Sequence, residues 1–408
     1  MLVTELAMGG AAKVVRELSA VLGERFEVHE AVFNRADGVD FDGIAPPHSL
    51  DVTGGGGILS KLANLHRRIR RTRRLKGKLG IDVSISHLEG AHWVDVLSRG
   101  PEKVVLCVHG STLNNGEISG PSGWLRARVV LPLIYNRADR VVTVSRGIRS
   151  ELISLGVRPD RLETINNSFD VRGIAARSLE PLSREEEQLF ASGPALVNVG
   201  RLAPPKNQAA LLDIFAAVLA RRPAKLLILG DGELRPALLE RAEALGLRTY
   251  SRWGGEALAP DRDVYFLGVR GNPFNLIARS DLFLLTSSWE GFPLALCEAM
   301  ICGTPVVAAD CLTGPREILS PGTSMPERPL AAAEWTDNGV LMPVLREPES
   351  FAAATRMWAD TVVRLLDDPA ACARMSEGAR TRMQDFTQDR IAAQWVELIE
   401  RLGGERGR

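Results

Sequence analysis

Two glutamates, Glu290 and Glu298, stand eight residues apart inside LFLLTSSWEGFPLALCEAM (282–300). The apolar run LFLL reads as a strand and Ser287–Pro293 as a loop of small and turn-forming residues. A helix follows, with Glu298 about two turns into it. A helix N-terminus carries unpaired N–H groups and partial positive charge, so it favours a phosphate. One carboxylate before that terminus and one inside the helix could accept hydrogen bonds from hydroxyls on either side of a diphosphate. A sugar nucleotide has this layout: sugar, diphosphate, ribose. Two cations stand upstream, where an apolar run (195–199) leads into Gly200-Arg201-Leu202 and then, beyond a Pro-Pro turn, Lys206-Asn207. The forked donors of Arg201 and the compact charge of Lys206 could neutralise a diphosphate leaving group. The plainer alternative is a pair of solvated surface cations.

The first half carries softer signals. His109 closes the strand-like run VVLCVHG, and His87 and His92 lie in SISHLEGAHW after another. A histidine at a strand's carboxyl end could hydrogen-bond a reacting group or be structural. Gly9-Gly10 precedes a helical stretch, where glycine lets backbone approach a ligand closely. Gly230-Asp231-Gly232 ends a further strand and reads as a tight turn or a ligand loop.

Alternating elements must position these residues. Apolar runs at 103–108, 140–144, 195–199, 225–229, 264–267, 282–285 and 305–309 alternate with helical stretches such as 11–23, 207–221, 233–246 and 293–302. Such alternation predicts α/β domains with parallel sheets. A chain of 408 residues exceeds one ordinary core. We expect an N-terminal domain over 1–172, a linker over 173–193 around Pro181 and Arg184–Glu187, a second domain over 194–385, and a terminal helix over 386–408. In open α/β sheets ligands bind at the carboxyl ends of the strands, so two such domains imply a cleft between them.

Composition is that of an ordinary globular protein, 45% apolar and 25% charged. Net charge is zero, yet residues 1–180 hold 25 Lys/Arg against 20 Asp/Glu and the remainder 25 against 30. All six histidines fall within the first 110 residues. The five cysteines form no CxxC pair and read as buried thiols of a reduced compartment. No apolar run is long enough to span a membrane, and the N-terminus lacks the order of a signal peptide, so a cytoplasmic location is expected.

The strings EGFPLALCEAM, GTPVVAADC and GPREIL around the two glutamates resemble the retaining glycosyltransferases of family 4, which have the GT-B fold. The resemblance implies two Rossmann-like domains facing across an interdomain cleft. It implies that Glu290 holds the donor sugar's hydroxyls and Glu298 the ribose. Gly291, Phe292, Pro293 and Leu294 would shape the sugar and phosphate pocket. Gly200 belongs to the Gly-Arg-Leu…Lys element, whose Arg201 and Lys206 would hold the donor phosphates. Gly268 and Val269, in VYFLGVRGNPF, would border the base. Gly9 and Gly10 would touch the donor from the other domain, and His109 would orient the sugar. His87 and His92 are candidates for acceptor contact. Asn167-Ser168 departs from the family's usual Asn-Pro. DCLTGPREIL (310–319) resembles a subgroup that builds bacterial surface polysaccharides and glycan precursors. In this fold the last helix returns to the first domain.

The stretch KLANLHRRIRRTRRLKGK (61–78) holds nine Lys/Arg and no acid. A basic amphipathic helix suits an anionic membrane surface, a solvated face being the alternative. It lacks the interleaved aromatics of a nucleic-acid site, so no nucleic-acid partner is expected. Asp261-Arg262-Asp263 and Asp40-Phe41-Asp42 match the spelling of a metal-binding motif, but the first enters a strand and reads as a polar turn. The resemblance implies no metal or other cofactor, since in enzymes of this fold cations and the helix dipole stabilise the leaving diphosphate. The resemblance implies a retaining hexosyl or N-acetylhexosaminyl transfer from a nucleotide-diphosphate donor, most simply UDP-linked, to a hydroxyl of a glycan or lipid-linked saccharide. The enzyme would act at the inner face of the cytoplasmic membrane. A sugar-nucleotide epimerase and a non-catalytic partner subunit are the alternatives.

Overall fold

The computed structural model describes residues 1–4, 10–34, 46–113, 120–323, 329–345 and 348–404. Gly9 and Asp40–Asp42 lie outside the described residues. The chain divides into two compact units, one of residues 1–168 with the segment from Gln388 onward, the other Phe169–Thr387.

The first unit is built on seven strands: β1 (Leu2–Val3), β2 (Ala31–Val32), β3 (His48–Ser49), β4 (Val83–His87), β5 (Lys103–Val108), β6 (Arg140–Thr143) and β7 (Leu162–Thr164). They run in the order β3-β2-β1-β4-β5-β6-β7, and every pairing is parallel. The order turns back between β1 and β4, the switch point at which doubly wound sheets bind ligands. Helix Gln388–Gly404 buries Ile391, Trp395, Leu398 and Leu402 in this unit. Its Glu400 and Arg401 pair with Arg25 and Glu163.

The second unit contains β8 (Ala195–Val199), β9 (Lys225–Leu229), β10 (Thr249–Ser251), β11 (Val264–Gly268), β12 (Leu282–Leu285), β13 (Val306–Ala309), β14 (Glu334–Thr336) and β15 (Gly339–Met342). Their order is β10-β11-β9-β8-β12-β13-β15-β14, and only β14 runs antiparallel. The central strands β8, β9, β12 and β13 are almost wholly buried. This is why they read as continuous apolar runs rather than alternating ones. Here the switch point lies between β8 and β12, whose following loops carry Arg201–Lys206 and Ser287–Pro293.

The expected linker at 173–193 is instead largely helical and belongs to the second unit. Helices Val171–Ser178 and Arg184–Ala191 occupy it. Ser183 and Glu186 form a capping box, which holds the charged run in a helix.

Candidate functional site

At the switch point of the second sheet the loops after β8 and β12 are tied together. The Thr286 hydroxyl donates to the carbonyls of Lys206 (3.2 Å) and Asn207 (3.1 Å). The Ser288 N–H donates to Pro205 O at 2.8 Å. Asn207 takes the left-handed conformation at φ 50° and turns the chain into helix Gln208–Leu219. The wholly buried Gln208 donates through its amide to Arg201 O. Lys206 is thereby aimed across the gap, and its ammonium lies 2.6 Å from Glu290 Oε1. The Ser287 hydroxyl donates to the same oxygen at 2.6 Å. Thr313, in the loop after β13, donates to the Glu290 carbonyl. Glu290 is 8% exposed, so its charge is held by these partners rather than by water.

Helix Leu294–Cys302 starts just beyond Glu290 with Pro293 as its cap residue and no side chain closing its N-terminus. Its first N–H groups are thus offered to an anion. Glu298, also 8% exposed, lies within this helix. Gly314 closes against the loop from the other side: a Cβ there would come within 2.6 Å of Pro293 Cδ.

The remaining predicted residues occupy different roles. Phe292 is buried in an aromatic cluster with Phe169 and Phe386, at ring separations of 6.5 and 5.3 Å. Arg201 pairs at 3.0 Å with Glu233, and both are largely exposed; nothing joins its side chain to Lys206 and Glu290. Gly230 is needed for backbone packing, because at φ 139° its Cβ would fall 2.0 Å from Gly200 O. Asp231 is paired with Arg235 at 3.0 Å. Gly268 sits at φ 70° and its carbonyl accepts from the Gly230 N–H at 2.9 Å, with Val269 half exposed beside it. The Asp261–Asp263 turn enters β11 with Asp263 held by Arg248 at 2.6 Å.

In the first unit Gly10 begins helix Gly10–Gly23. His109 follows β5 and is partly exposed. His87, the last residue of β4, is fully buried and stacks on His109, with His87 Nδ1 2.9 Å from His109 Nε2. His92 is buried too, with Nδ1 3.1 Å from the Tyr135 hydroxyl and Nε2 3.2 Å from Cys107 O. These two rings are therefore packed inside the unit, contrary to the expectation that they present surface to an acceptor. Burial drives the pKa of His92 and of His109 down to about 4, and that of His87 well below the ordinary imidazole range. All three are neutral at pH 7. Glu151 orders the chain beyond His109, accepting from the Ser111 hydroxyl at 2.6 Å and the Leu113 N–H at 3.0 Å. Cys107 Sγ lies with the His87 and His109 nitrogens, all within 4.8 Å of one another, a spacing that could hold a metal ion. Burial pushes the Cys107 thiol strongly up, however, which opposes a thiolate ligand.

Ser287, Thr313 and the His87–His109 contact were not anticipated. Ser287, three residues before Glu290 in the same loop, had a readable signal; the other two depend on tertiary proximity alone.

The chain matches two family models: Glycosyltransferase Family 4 over residues 8–172 and Glycosyl transferases group 1 over 193–361. An uncharacterised glycosyltransferase of Methanocaldococcus jannaschii is 31% identical over 279 residues, 65% of this chain and 64% of that protein. A Campylobacter jejuni N-acetylgalactosaminyltransferase named for a diphospho-undecaprenol-linked saccharide is 26% identical, over 77% of this chain and 80% of its own. Among solved structures, Anabaena HepE in complex with UDP and glucose aligns with TM-score 0.71 at 20% identity, over 98% of this chain and 99% of its own. Sucrose-phosphate synthase from Thermosynechococcus elongatus aligns at 0.75 and 18% identity, over 99% of both chains. The two family matches take in the whole second sheet and every strand of the first but β1, and the chain belongs to the family 4 glycosyltransferases of two-domain GT-B fold.

Proposed function

We propose that the chain transfers a hexose or N-acetylhexosamine, with retention, from a UDP-linked donor to a hydroxyl of a glycan or lipid-linked saccharide. The observation that carries this reading is the Lys206–Glu290–Ser287 cluster beside an uncapped helix N-terminus at the switch point of the second sheet. Lys206, Arg201 and the first N–H groups of the helix would stabilise the departing diphosphate without a metal. Glu290 would hold the sugar and Glu298 the ribose, and His109 would orient the reacting sugar. The departing phosphate would assist in taking the acceptor proton. Support for the donor comes from a structural relative solved with UDP and glucose. Support for a lipid-linked acceptor comes from the relative named for one.

The basic helix Ile58–Leu79 supports attachment to an anionic membrane surface, with a narrower set of charges than its sequence suggests. Four of its cations hold it to the unit: Arg68 and Arg71 bond the carbonyls of Val52 and Leu50, Arg73 those of Ser98 and Arg99, and Lys76 the carboxylates of Asp95 and Glu102. Lys61, Arg67, Arg70, Arg74 and Lys78 remain exposed beside Leu59 and Leu62. Each is worth roughly 1 kcal/mol against an anionic surface. No helix among the described residues is long and apolar enough to cross a membrane.

The test is incubation with UDP-sugars, with and without lipid-linked saccharide acceptors, followed by assignment of product anomeric configuration by NMR. Acceptor-dependent transfer with retained configuration is the expected result. Conversion of donor alone would replace this reading with epimerisation.

A further inference from the structure

The two nitrogens that meet at 2.9 Å, His87 Nδ1 and His109 Nε2, must share one proton, because two lone pairs at that distance repel. Both rings are neutral, so each carries a single N–H and the shared contact decides both tautomers. If His109 donated through Nε2, His87 would have to carry its own proton on Nε2. That atom is fully enclosed and has no hydrogen-bond partner among the described residues. A buried N–H without an acceptor has given up its hydrogen bond to water with nothing in return. An under-satisfied buried acceptor is the less rare arrangement. If His87 donates through Nδ1, its Nε2 bears only a lone pair, and His109 carries its proton on Nδ1. No described residue accepts from that Nδ1, and His109 is partly exposed.

We infer that His87 is a positioning residue that fixes His109 as the Nδ1–H tautomer, so that the partly exposed ring offers ligand a hydrogen-bond donor rather than a lone pair. The fit is built into the fold. His87 and Cys107 are register partners on β4 and β5, which places His109, two residues beyond Cys107, over the end of the neighbouring strand. A donor suits the hydroxyl or ring oxygen lone pairs of a sugar. The consequence for turnover rests on the proposed sugar transfer; the tautomer does not.

The experiment is long-range proton–nitrogen correlation on histidine-labelled protein near pH 7.5, with His87→Asn and His87→Leu for assignment. His92 is an internal reference, since its Nε2 faces the Cys107 carbonyl and must carry the proton. His87 and His109 are both expected as Nδ1–H forms, the less common tautomer of free imidazole, and His92 as Nε2–H. An asparagine amide can still donate where Nδ1 stood, so His87→Asn should keep the His109 tautomer and most of the turnover. His87→Leu should release it and lower kcat roughly tenfold to a hundredfold, the loss of one oriented hydrogen bond. An Nε2–H form of His109 in the unaltered protein would overturn the inference even if neither variant folds. So would a stoichiometric transition metal in the purified protein, because the close contact would then be ligation. A correct tautomer with equal turnover in both variants would leave the positioning of the proton standing and refute its use in catalysis.

Discussion

The two sheets share a strand plan and a kind of switch point, yet the residues at their strand ends differ in electrical character. In the second unit the loops after β8 and β12 hold opposite charges in contact, Lys206 against Glu290. In the first, β4 and β5 lead into neutral imidazoles packed on one another. Topology supplies the address, and the loops supply the chemistry. An ionic loop pair suits a charged diphosphate, whose binding can take over the pairing of Lys206. Neutral rings suit uncharged hydroxyls, which need directed hydrogen bonds rather than field.

The largest effect expected from breaking this contrast is at Lys206. Lys206→Ala should cost about 2–4 kcal/mol of transition-state stabilisation, by analogy with losing one preorganised donor to a developing anion. It should also lower thermal stability, because the buried Glu290 loses its cation. Lys206→Ala together with Glu290→Gln should recover the stability and not the kcat/KM. Unchanged turnover in Lys206→Ala would remove the cation from the mechanism.

On the neutral side the signature is pH. His92 has a folded pKa of about 4 against an ordinary value of 6.5. Above pH 6.5 neither state binds the proton. Between pH 6.5 and 4 only the unfolded chain does, so stability falls as pH falls, by up to about 3 kcal/mol from this group. Denaturant unfolding at stepped pH would show a steeper loss over that window in the unaltered protein than in His92→Gln. Equal slopes would mean that burial does not hold the ring neutral.

Much of the charged site was legible before the fold was known, because fully buried parallel strands leave unbroken apolar runs and their loops follow directly. The runs at 195–199, 225–229 and 282–285 are β8, β9 and β12 at those same bounds. The neutral site was not legible in this way. Nothing in SISHLEGAHW distinguishes a buried histidine from one facing ligand; that depends on packing against Cys107 and Tyr135, distant in sequence. The two-residue strands β1, β2 and β3 are too short for any period to register. The segment 173–193 was misjudged for a different reason. Its charge and proline suggested a linker, while Ser183-x-x-Glu186 already spelled a helix start.

A smaller effect sharpens the comparison within the charged loops. Thr313→Val removes the hydroxyl that bonds the Glu290 carbonyl and should cost about 1 kcal/mol of stability. It should raise donor KM more than it lowers kcat, if Thr313 only holds the loop. A kcat loss as large as that of Lys206→Ala would give Thr313 a direct part in the reaction.

The central claim is that the loops after β8 and β12 hold a nucleotide diphosphate sugar. It is tested most directly by thermal unfolding with UDP-, GDP-, ADP- and dTDP-sugars, without added metal, on the unaltered protein and on Lys206→Ala/Glu290→Gln. A ligand present at 100 times its dissociation constant adds about 2.7 kcal/mol to the folded state. The account predicts such a stabilisation by UDP-sugars in the unaltered protein and its loss or sharp reduction in the double variant. No stabilisation by any nucleotide sugar, or an equal one in both proteins, would contradict it.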